Sequence, residues 1–302
     1  MHLGVGVPVS GAWATPTNIR RVATLSEELG YHSLWTFQRL LHPVDEEWGS
    51  AYHGVLDPVV TLGYVAALTS RIRVGLAVVN LPYYAPIVLS KELTTLDIVS
   101  EGRLDVGLGL GWAPPEFEAV GVPRSGRGAR AEEFVRYLTT TWTEPEPEFH
   151  GEFYTLPRSR VDPKPVQRPH PPILMVGSAE VALRRVGRIA DGWISSSRTD
   201  LTAIGQSIGV VRASAEEAGR DPGRLRFIVR GVVKLMDAEP PERRPLHGTA
   251  DQIRSDLSLL AEQGVTEVFF DLNWDPDATS DQVDPVEALH NAERLLRAFA
   301  PQ

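Results

Sequence analysis

The feature that most constrains this 302-residue chain is an alternation, in which short strand-like runs are separated from end to end by runs with helical periodicity. The strand-like runs are His2 to Val7, Ser33 to Phe37, Ile72 to Val79, Leu104 to Leu108, Ile173 to Val176, Gly192 to Ser195, Leu225 to Val233 and Glu267 to Leu272. Between them, apolar residues recur at helical spacing at Ile19, Val22 and Leu29; Leu89, Leu93 and Leu96; Leu183, Val186 and Ala190; Ile253, Leu257 and Leu260; and Leu289, Leu296 and Phe299. Each run thus has one face to lay on a sheet. A capping residue followed by proline opens helices at Thr15-Pro16, Asp57-Pro58 and Asp284-Pro285, with Glu287 expected to complete a capping box at the last.

Eight strands, each followed by a helix, can close into a (β/α)8 TIM barrel or stay open as a doubly wound sheet, and the count favours the barrel. The expected architecture is α/β, a single domain over residues 1–302 with inserted segments after strands 2 and 4. Two stretches exceed an ordinary connection: Gln38 to Leu56 after the second strand, and the proline-rich Thr143 to Pro172 before the fifth, with a hairpin around His150-Gly151. Both are expected at the C-terminal rim, where long insertions serve binding.

Several functions are excluded or disfavoured by composition. Acidic residues outnumber basic ones, 39 to 30, and no long basic run interrupts them, so neither nucleic acid nor an anionic membrane is the expected partner. With no cysteine there is no disulfide, thiolate nucleophile, thiolate metal site or iron–sulfur cluster. The opening MHLGVGVPVSG alternates as a strand and does not read as a leader, so the protein is expected in the cytoplasm. No apolar stretch reaches the roughly 18 to 20 residues of a membrane helix.

Two glycine-containing loops are candidate ligand contacts. Gly107-Leu108-Gly109-Leu110-Gly111-Trp112 closes the fourth strand; its spacing fails the dinucleotide fingerprint, which leaves a tight turn or close backbone approach to a ligand. Gly177-Ser178-Ala179 lies between the fifth strand and an amphipathic helix, where free N–H groups attract an anion, although Ser178 is equally a plain N-cap. No metal site is expected: there is no HExxH, and no His-x-His ends the first strand. His42 and His53, in the long loop after strand two, are the histidines placed to meet a substrate, while His2 should lie at the barrel's bottom. The same rim gathers Trp13, Phe37, Gln38, Arg39, Tyr52, Tyr83, Tyr84, Trp112 and Trp274, a set suited to a flat heterocycle. No Ser–His–Asp spacing or close carboxylate pair stands out, so a cofactor is the expected carrier of the chemistry.

The run DPVVTLGYVAALTSRIRVGLAVVNLPYYAPIVLSKELTTLDIVSEGRLDVGLGLGWAPPEFEAVGVP, from Asp57 to Pro123, resembles the luciferase-like monooxygenase family, and within it the branch using the deazaflavin coenzyme F-420. GYHSLWTFQRLLHP, PPILMVGSAEVALRRVGRIADGW and GTADQIRSDLSLLAEQGVTEVFFDL extend the similarity over nearly the whole chain. The resemblance implies a homodimer of (β/α)8 barrels binding a flavin-like ring in the mouth. It implies a bulge with a non-proline cis peptide at Ala77-Val78 backing that ring. Gly109, Gly111 and Trp112 would approach the ring or tail, and Gly177, Ser178 and Ala179 would hold the cofactor phosphate. Arg124, Arg127, Arg158, Arg160, Lys164 and Arg168 surround the central insertion and could meet an anionic tail.

One departure decides the expected chemistry. Family dehydrogenases that oxidise alcohols carry a histidine base at the end of the second strand, and here that position is Arg39, preceded by Gln38 in place of an acid. Guanidinium accepts no proton at neutral pH, so Arg39 is expected to hold or polarise an electron-poor substrate such as an enone or carboxylate. Arg39, Gln38 and His53 are the candidate catalytic residues, in a deazaflavin-dependent oxidoreductase acting on a small molecule. An FMN-dependent monooxygenase and a non-catalytic flavin-binding relative are the alternatives.

Overall fold

In the computed structural model, residues 1–301 are described. Eight parallel strands form the barrel wall: His2–Gly6 (β1), Ser33–Thr36 (β2), Arg73–Leu76 (β3), Leu104–Gly109 (β4), Ile173–Val176 (β5), Gly192–Ile194 (β6), Arg226–Gly231 (β7) and Glu267–Phe270 (β8). Neighbours in sequence are neighbours in space, β3 pairs with β4 through Val74 and Leu104, and β1 pairs with β8 through His2 and Glu267, so the sheet closes on itself. The expected (β/α)8 barrel is the observed one. A short strand, Val79–Asn80, resumes β3 beyond a bulge and pairs with the end of β4.

Among the described residues ten α-helices surround the wall: Pro16–Glu28 (α1), Pro58–Leu68 (α2), Pro86–Val99 (α3), Pro114–Val120 (α4), Arg127–Thr143 (α5), Glu180–Ile189 (α6), Ile204–Glu217 (α7), Ala250–Glu262 (α8), Pro276–Thr279 (α9) and Pro285–Ala298 (α10). Thr15 accepts from the Asn18 N–H, Asp57 from Val59 and Val60, and Asp284 from Val286, as the capping residues require. Glu287 completes no box, because Asp284 bonds the N–H one position before it; the capping box forms at α8 instead, between Thr249 and Gln252.

α5 corrects the expected course of the central insertion. Phe134, Val135, Leu138 and Trp142 bury its inner face, so α5 takes the helix position between β4 and β5 and carries the chain away from the mouth. Residues 144–172 consequently return along the opposite end of the barrel. Gln167 bonds the carbonyl of Leu104, the first residue of β4, at 2.7 Å, and the Pro172 carbonyl receives the Val106 N–H. The expected hairpin forms within this segment, Phe149–His150 against Thr155–Leu156, and folds back along α5, where Glu133 accepts the N–H groups of Glu152, Phe153 and Tyr154. What remains at the rim after β4 is the short helix α4.

Inside the wall, Trp35, Leu174, Ile194, Ile228 and Phe269 form a compact apolar layer, separate from the larger core between wall and helices. Beneath it lies a plug of charge. Asp105 accepts from Arg73 Nε and Nη2 at 2.8 and 2.7 Å and from Arg226 Nη1 at 2.6 Å, while Glu267 accepts from Arg226 at 3.0 Å and Trp35 Nε1 at 2.9 Å. Burial alone would raise the Asp105 carboxyl; the hydrogen bonds and charges of Arg73 and Arg226 overcome it and hold that carboxyl below its ordinary value. His2 lies at this end, as expected, stacked on His32 with ring centroids 4.0 Å apart.

Candidate active site

Above the apolar layer the mouth opens into a cavity of about 370 Å3, within the range of small-molecule sites. Its wall is built by strand ends, as in barrels generally: Phe37, Gln38 and Arg39 follow β2, Ala77 and Val78 follow β3, Gly111 and Trp112 follow β4, Gly177, Ser178 and Ala179 follow β5, Arg230 ends β7 and Trp274 follows β8. Most of the residues singled out in the sequence are therefore brought together.

The Ala77-Val78 peptide bond is cis, with the Ala77 N–H bonded to Thr36 and its carbonyl receiving Arg230 Nη2. Gln38 accepts the Asn80 N–H at 2.8 Å and donates to Tyr84 Oη at 2.6 Å, so its amide is engaged in holding the bulge. Gly109 lies behind the wall: a Cβ there would stand 2.6 Å from Val78 Cγ2 and 2.8 Å from Asn80 Oδ1, so it is the residue that lets β4 approach the bulge. Gly111 has φ +69°, and its N–H is accepted by Asn80 Oδ1 at 3.0 Å.

Arg39 is the least satisfied polar group of the wall. Its side chain is only 6% exposed, its Nε donates to the Gln38 carbonyl at 2.8 Å, and its guanidinium lies 4.9 Å from the Trp112 ring and 5.5 Å from Tyr52. Glu116 Oε2 stands 3.4 Å from Nη1, an ion pair without hydrogen-bond geometry, and Nη1, itself buried, has no hydrogen-bond partner among the described residues. Glu116, fully buried in the first turn of α4, spends its oxygens on the Leu40 N–H and on Tyr83 Oη. Burial and the Glu116 carboxylate push the Tyr83 hydroxyl up, so it remains a donor.

At the other side of the mouth, the N-cap of α6 is Ala179, with no side-chain hydrogen bond, and Ser178 is not a cap. The first N–H groups of α6 are thus left for a ligand. Arg127, at the start of α5, lines the same cavity and donates to the Gly111 carbonyl at 3.2 Å. These features fit a flavin-type cofactor: an uncapped helix N-terminus and a guanidinium for a phosphate, and cavity walls of Val78 and Trp112 for a ring.

Other expected residues fall elsewhere. Trp13 is fully buried in the core and does not reach the cavity. Tyr83 and Tyr84 stand behind the wall, bonded to Glu116 and Gln38. His53 pairs with His42, Nε2 to Nε2 at 3.2 Å, and neither lines the cavity; Trp48 links them to it by packing on Trp112 with centroids 5.0 Å apart. Arg158 and Arg160 pair with Glu146 in the returning segment, and Lys164 and Arg168 lie there too, so of the six basic residues only Arg127 lines the mouth.

Sequence reasoning missed Arg230 and its partner Asp271. Arg230 is buried among Phe37, Phe269 and Trp274, at 5.4, 5.4 and 4.4 Å, and pairs with Asp271 at 3.1 Å. Burial lowers the Arg230 guanidinium and raises the Asp271 carboxyl, each partly offset by the other. Charged residues closing the runs RFIVRG and EVFFD were the available signal, since strand ends build a barrel's site.

The luciferase-like monooxygenase family model matches residues 2–255. The chain is 33% identical over 313 residues to an uncharacterized protein of Mycobacterium tuberculosis, covering 99% of each. It is 32% identical to a coenzyme F-420-dependent glucose-6-phosphate dehydrogenase of Kineococcus radiotolerans, covering 86% of this chain and 75% of that one. It is 34% identical to an FMNH2-dependent dimethylsulfone monooxygenase of Pseudomonas putida, covering 75% and 60%. In structure it is similar to a monooxygenase from Streptomyces bottropensis (TM-score 0.83, 22% identity, 99% and 98% covered). A coenzyme F-420-dependent secondary alcohol dehydrogenase is also similar (TM-score 0.80, 15% identity, 99% of each covered).

Proposed function

The chain belongs to the luciferase-like monooxygenase family, and within it we propose that it is a deazaflavin (coenzyme F-420)-dependent oxidoreductase reducing a small, electron-poor organic substrate. The observation that carries this reading is Arg39: where a base would be needed to oxidise an alcohol, the cavity is lined by a guanidinium whose one hydrogen bond among the described residues goes to the Gln38 carbonyl. Neither histidine of the neighbouring loop lines that wall. A guanidinium cannot take a proton, but it can bind a carbonyl or carboxylate oxygen and stabilise the negative charge that grows there during reduction.

When bound, the deazaflavin supplies the hydride. The chain's own residues do the rest. The N–H groups at the start of α6, with Ser178 and Arg127, hold the cofactor phosphate; Ala77, Val78, Gly111 and Trp112 shape the slot for the ring, with Gly109 admitting the bulge from behind; Arg39 receives the substrate oxygen. His53 and Gln38 serve as supports of the rim. The Pseudomonas relative favours a second reading, an FMN-dependent monooxygenase.

The test is a parallel titration of apo-protein with coenzyme F-420 and with FMN, followed by the fluorescence of Trp112 and Trp274, which line the cavity. Tight binding of the deazaflavin with FMN much weaker is expected. A preference for FMN moves the chain to the monooxygenase reading, and binding of neither overturns both.

We also propose that the chain acts as a homodimer through α2 and α3. α2, PVVTLGYVAAL, is apolar around its circumference, a pattern that belongs in a buried setting. Yet Val60 is 75% exposed and Val99 55%, beside a groove lined by Val59, Ile87 and Val88. Lys91 and Glu92 on the same face give a two-fold pairing opposite charges to meet. Light scattering should return twice the chain mass of 33.2 kDa, and Val60→Asp should return one; a monomeric parent protein rejects the assignment.

A further inference from the structure

The basic residues that the mouth does not absorb gather at the opposite end of the barrel. There, between the start of β5 and the start of β7, is a cavity of about 530 Å3 whose lining includes Arg168, Asp191, Arg220, Asp221, Arg224 and Arg226. We propose that this floor cavity is a second binding site, for a small phosphate-bearing anion. The proposal is independent of what the mouth binds.

It rests on the charge that remains after every partner is counted. Arg226 turns inward and is neutralised by Asp105 and Glu267. Arg220 donates to the carbonyls of Gly187 and Ala190 at 2.7 and 2.6 Å and stands 3.5 Å from Asp191, whose other oxygen accepts the Ile173 N–H. Asp221 caps the turn below β7 through the Gly223 N–H. Arg168 donates only to backbone carbonyls, those of Pro165 and Gln167, and Arg224 makes no side-chain hydrogen bond or ion pair among the described residues. With Arg226 neutralised, the guanidiniums of Arg168, Arg220 and Arg224 share the lining with the carboxylates of Asp191 and Asp221, which leaves the cavity one positive charge in excess.

A chain with a net charge of −9 does not arrive at such a cluster through its average composition. Arg168 and Arg224 line the cavity without an anionic partner among the described residues, and the planar fork of arginine matches two oxygens of a phosphate at once. Arg168 and Arg224 approach this cavity from the segments preceding β5 and β7, so a multivalent oxyanion can bridge them where a monovalent ion cannot. The cavity lies outside the apolar layer and the plug that close the barrel, so a ligand here does not reach the mouth.

The experiment is calorimetric titration of the whole protein with pyrophosphate, inorganic phosphate and, at equal ionic strength, sodium chloride. Four proteins are compared: the parent, the double variant Arg168→Ala/Arg224→Ala, Arg127→Ala at the mouth, and Arg168→Lys/Arg224→Lys. We expect saturable pyrophosphate binding by the parent and by Arg127→Ala, and a loss of at least about tenfold in the double alanine variant, as losing one charge-assisted hydrogen bond would give. The lysine pair should retain part of it. Arg168 and Arg224 are exposed, so unfolding of the variant is not expected, and its thermal midpoint checks this. No saturable binding by the parent, equal responses to chloride and pyrophosphate, or a loss confined to Arg127→Ala each overturns the proposal; the last places the anion at the α6 N-terminus instead.

Discussion

In the charge plug of the barrel, Arg73 and Arg226 meet Asp105 and Glu267 through hydrogen bonds of 2.6 to 3.2 Å, and each carboxylate takes several donors. At the mouth, Arg39 stands 3.4 Å from Glu116 without bonding it, and its Nη1 has no partner. Both arrangements bury arginine beside a carboxylate, yet one is closed upon itself and the other is left one acceptor short. A closed network returns its desolvation cost as stability of the fold; an open one returns it only when a ligand supplies the missing oxygen.

The largest effect is expected where the network is closed. Asp105→Ala removes the one carboxylate that Arg73 pairs with and leaves Arg226 only Glu267, and should cost about 3 to 5 kcal/mol in urea unfolding, with cofactor affinity of the folded protein unchanged. The acid side tests the same network. The Asp105 carboxyl is held below its ordinary value of 3.8, so its contribution is present above that pH and fades as pH falls through the lower folded value. His32, pushed below 6.5 chiefly by burial, although Glu267 pulls it back, also favours the unfolded chain once pH drops under 6.5. Stability should thus decline toward acid in the parent, with the lowest-pH step missing in Asp105→Asn. A parent that gains stability in acid would contradict this account of the plug.

The same contrast explains what was legible in the sequence. The barrel was, because eight alternations of period 2 and period 3.6 are local signals, and so were the loops at Gly111 and Gly177, which sit at strand ends by position alone. The pairing of Asp105 with Arg226, 121 residues apart, was not: periodicity says which face a residue occupies but not which neighbour completes its hydrogen bonds. The placement of residues 144–172 depended on one helix, α5, whose spacing at Phe134, Leu138 and Trp142 lies among charged residues and threonines; without it, Arg158 and Arg160 fall at the wrong end of the barrel. Arg39 was legible as a departure from a family pattern, but its missing partner could be seen only once Glu116 was in place beside it.

A smaller effect on stability, and a sharper one on function, is expected at that open pair. Removing the guanidinium in Arg39→Met leaves Glu116 with the Leu40 N–H and the Tyr83 hydroxyl, so unfolding should lose only about 1 to 2 kcal/mol, near the worth of the stacking on Trp112 and Tyr52. Deazaflavin affinity should hold, since the change leaves the N–H groups at the start of α6 and Arg127 untouched. Reduction of an enone or unsaturated acid, followed in a single turnover, should fall by about 100 to 1000-fold, as it does when one preorganised donor to a developing oxyanion is lost. Arg39→Lys keeps the charge but not the planar fork that lies on Trp112, so it should recover stability more than rate. If lysine restores the rate in full, charge alone suffices and the unfilled Nη1 has no special role. If instead Arg39→Met unfolds as readily as Asp105→Ala, the mouth and the plug are not different in kind, and the distinction drawn from their hydrogen bonds fails.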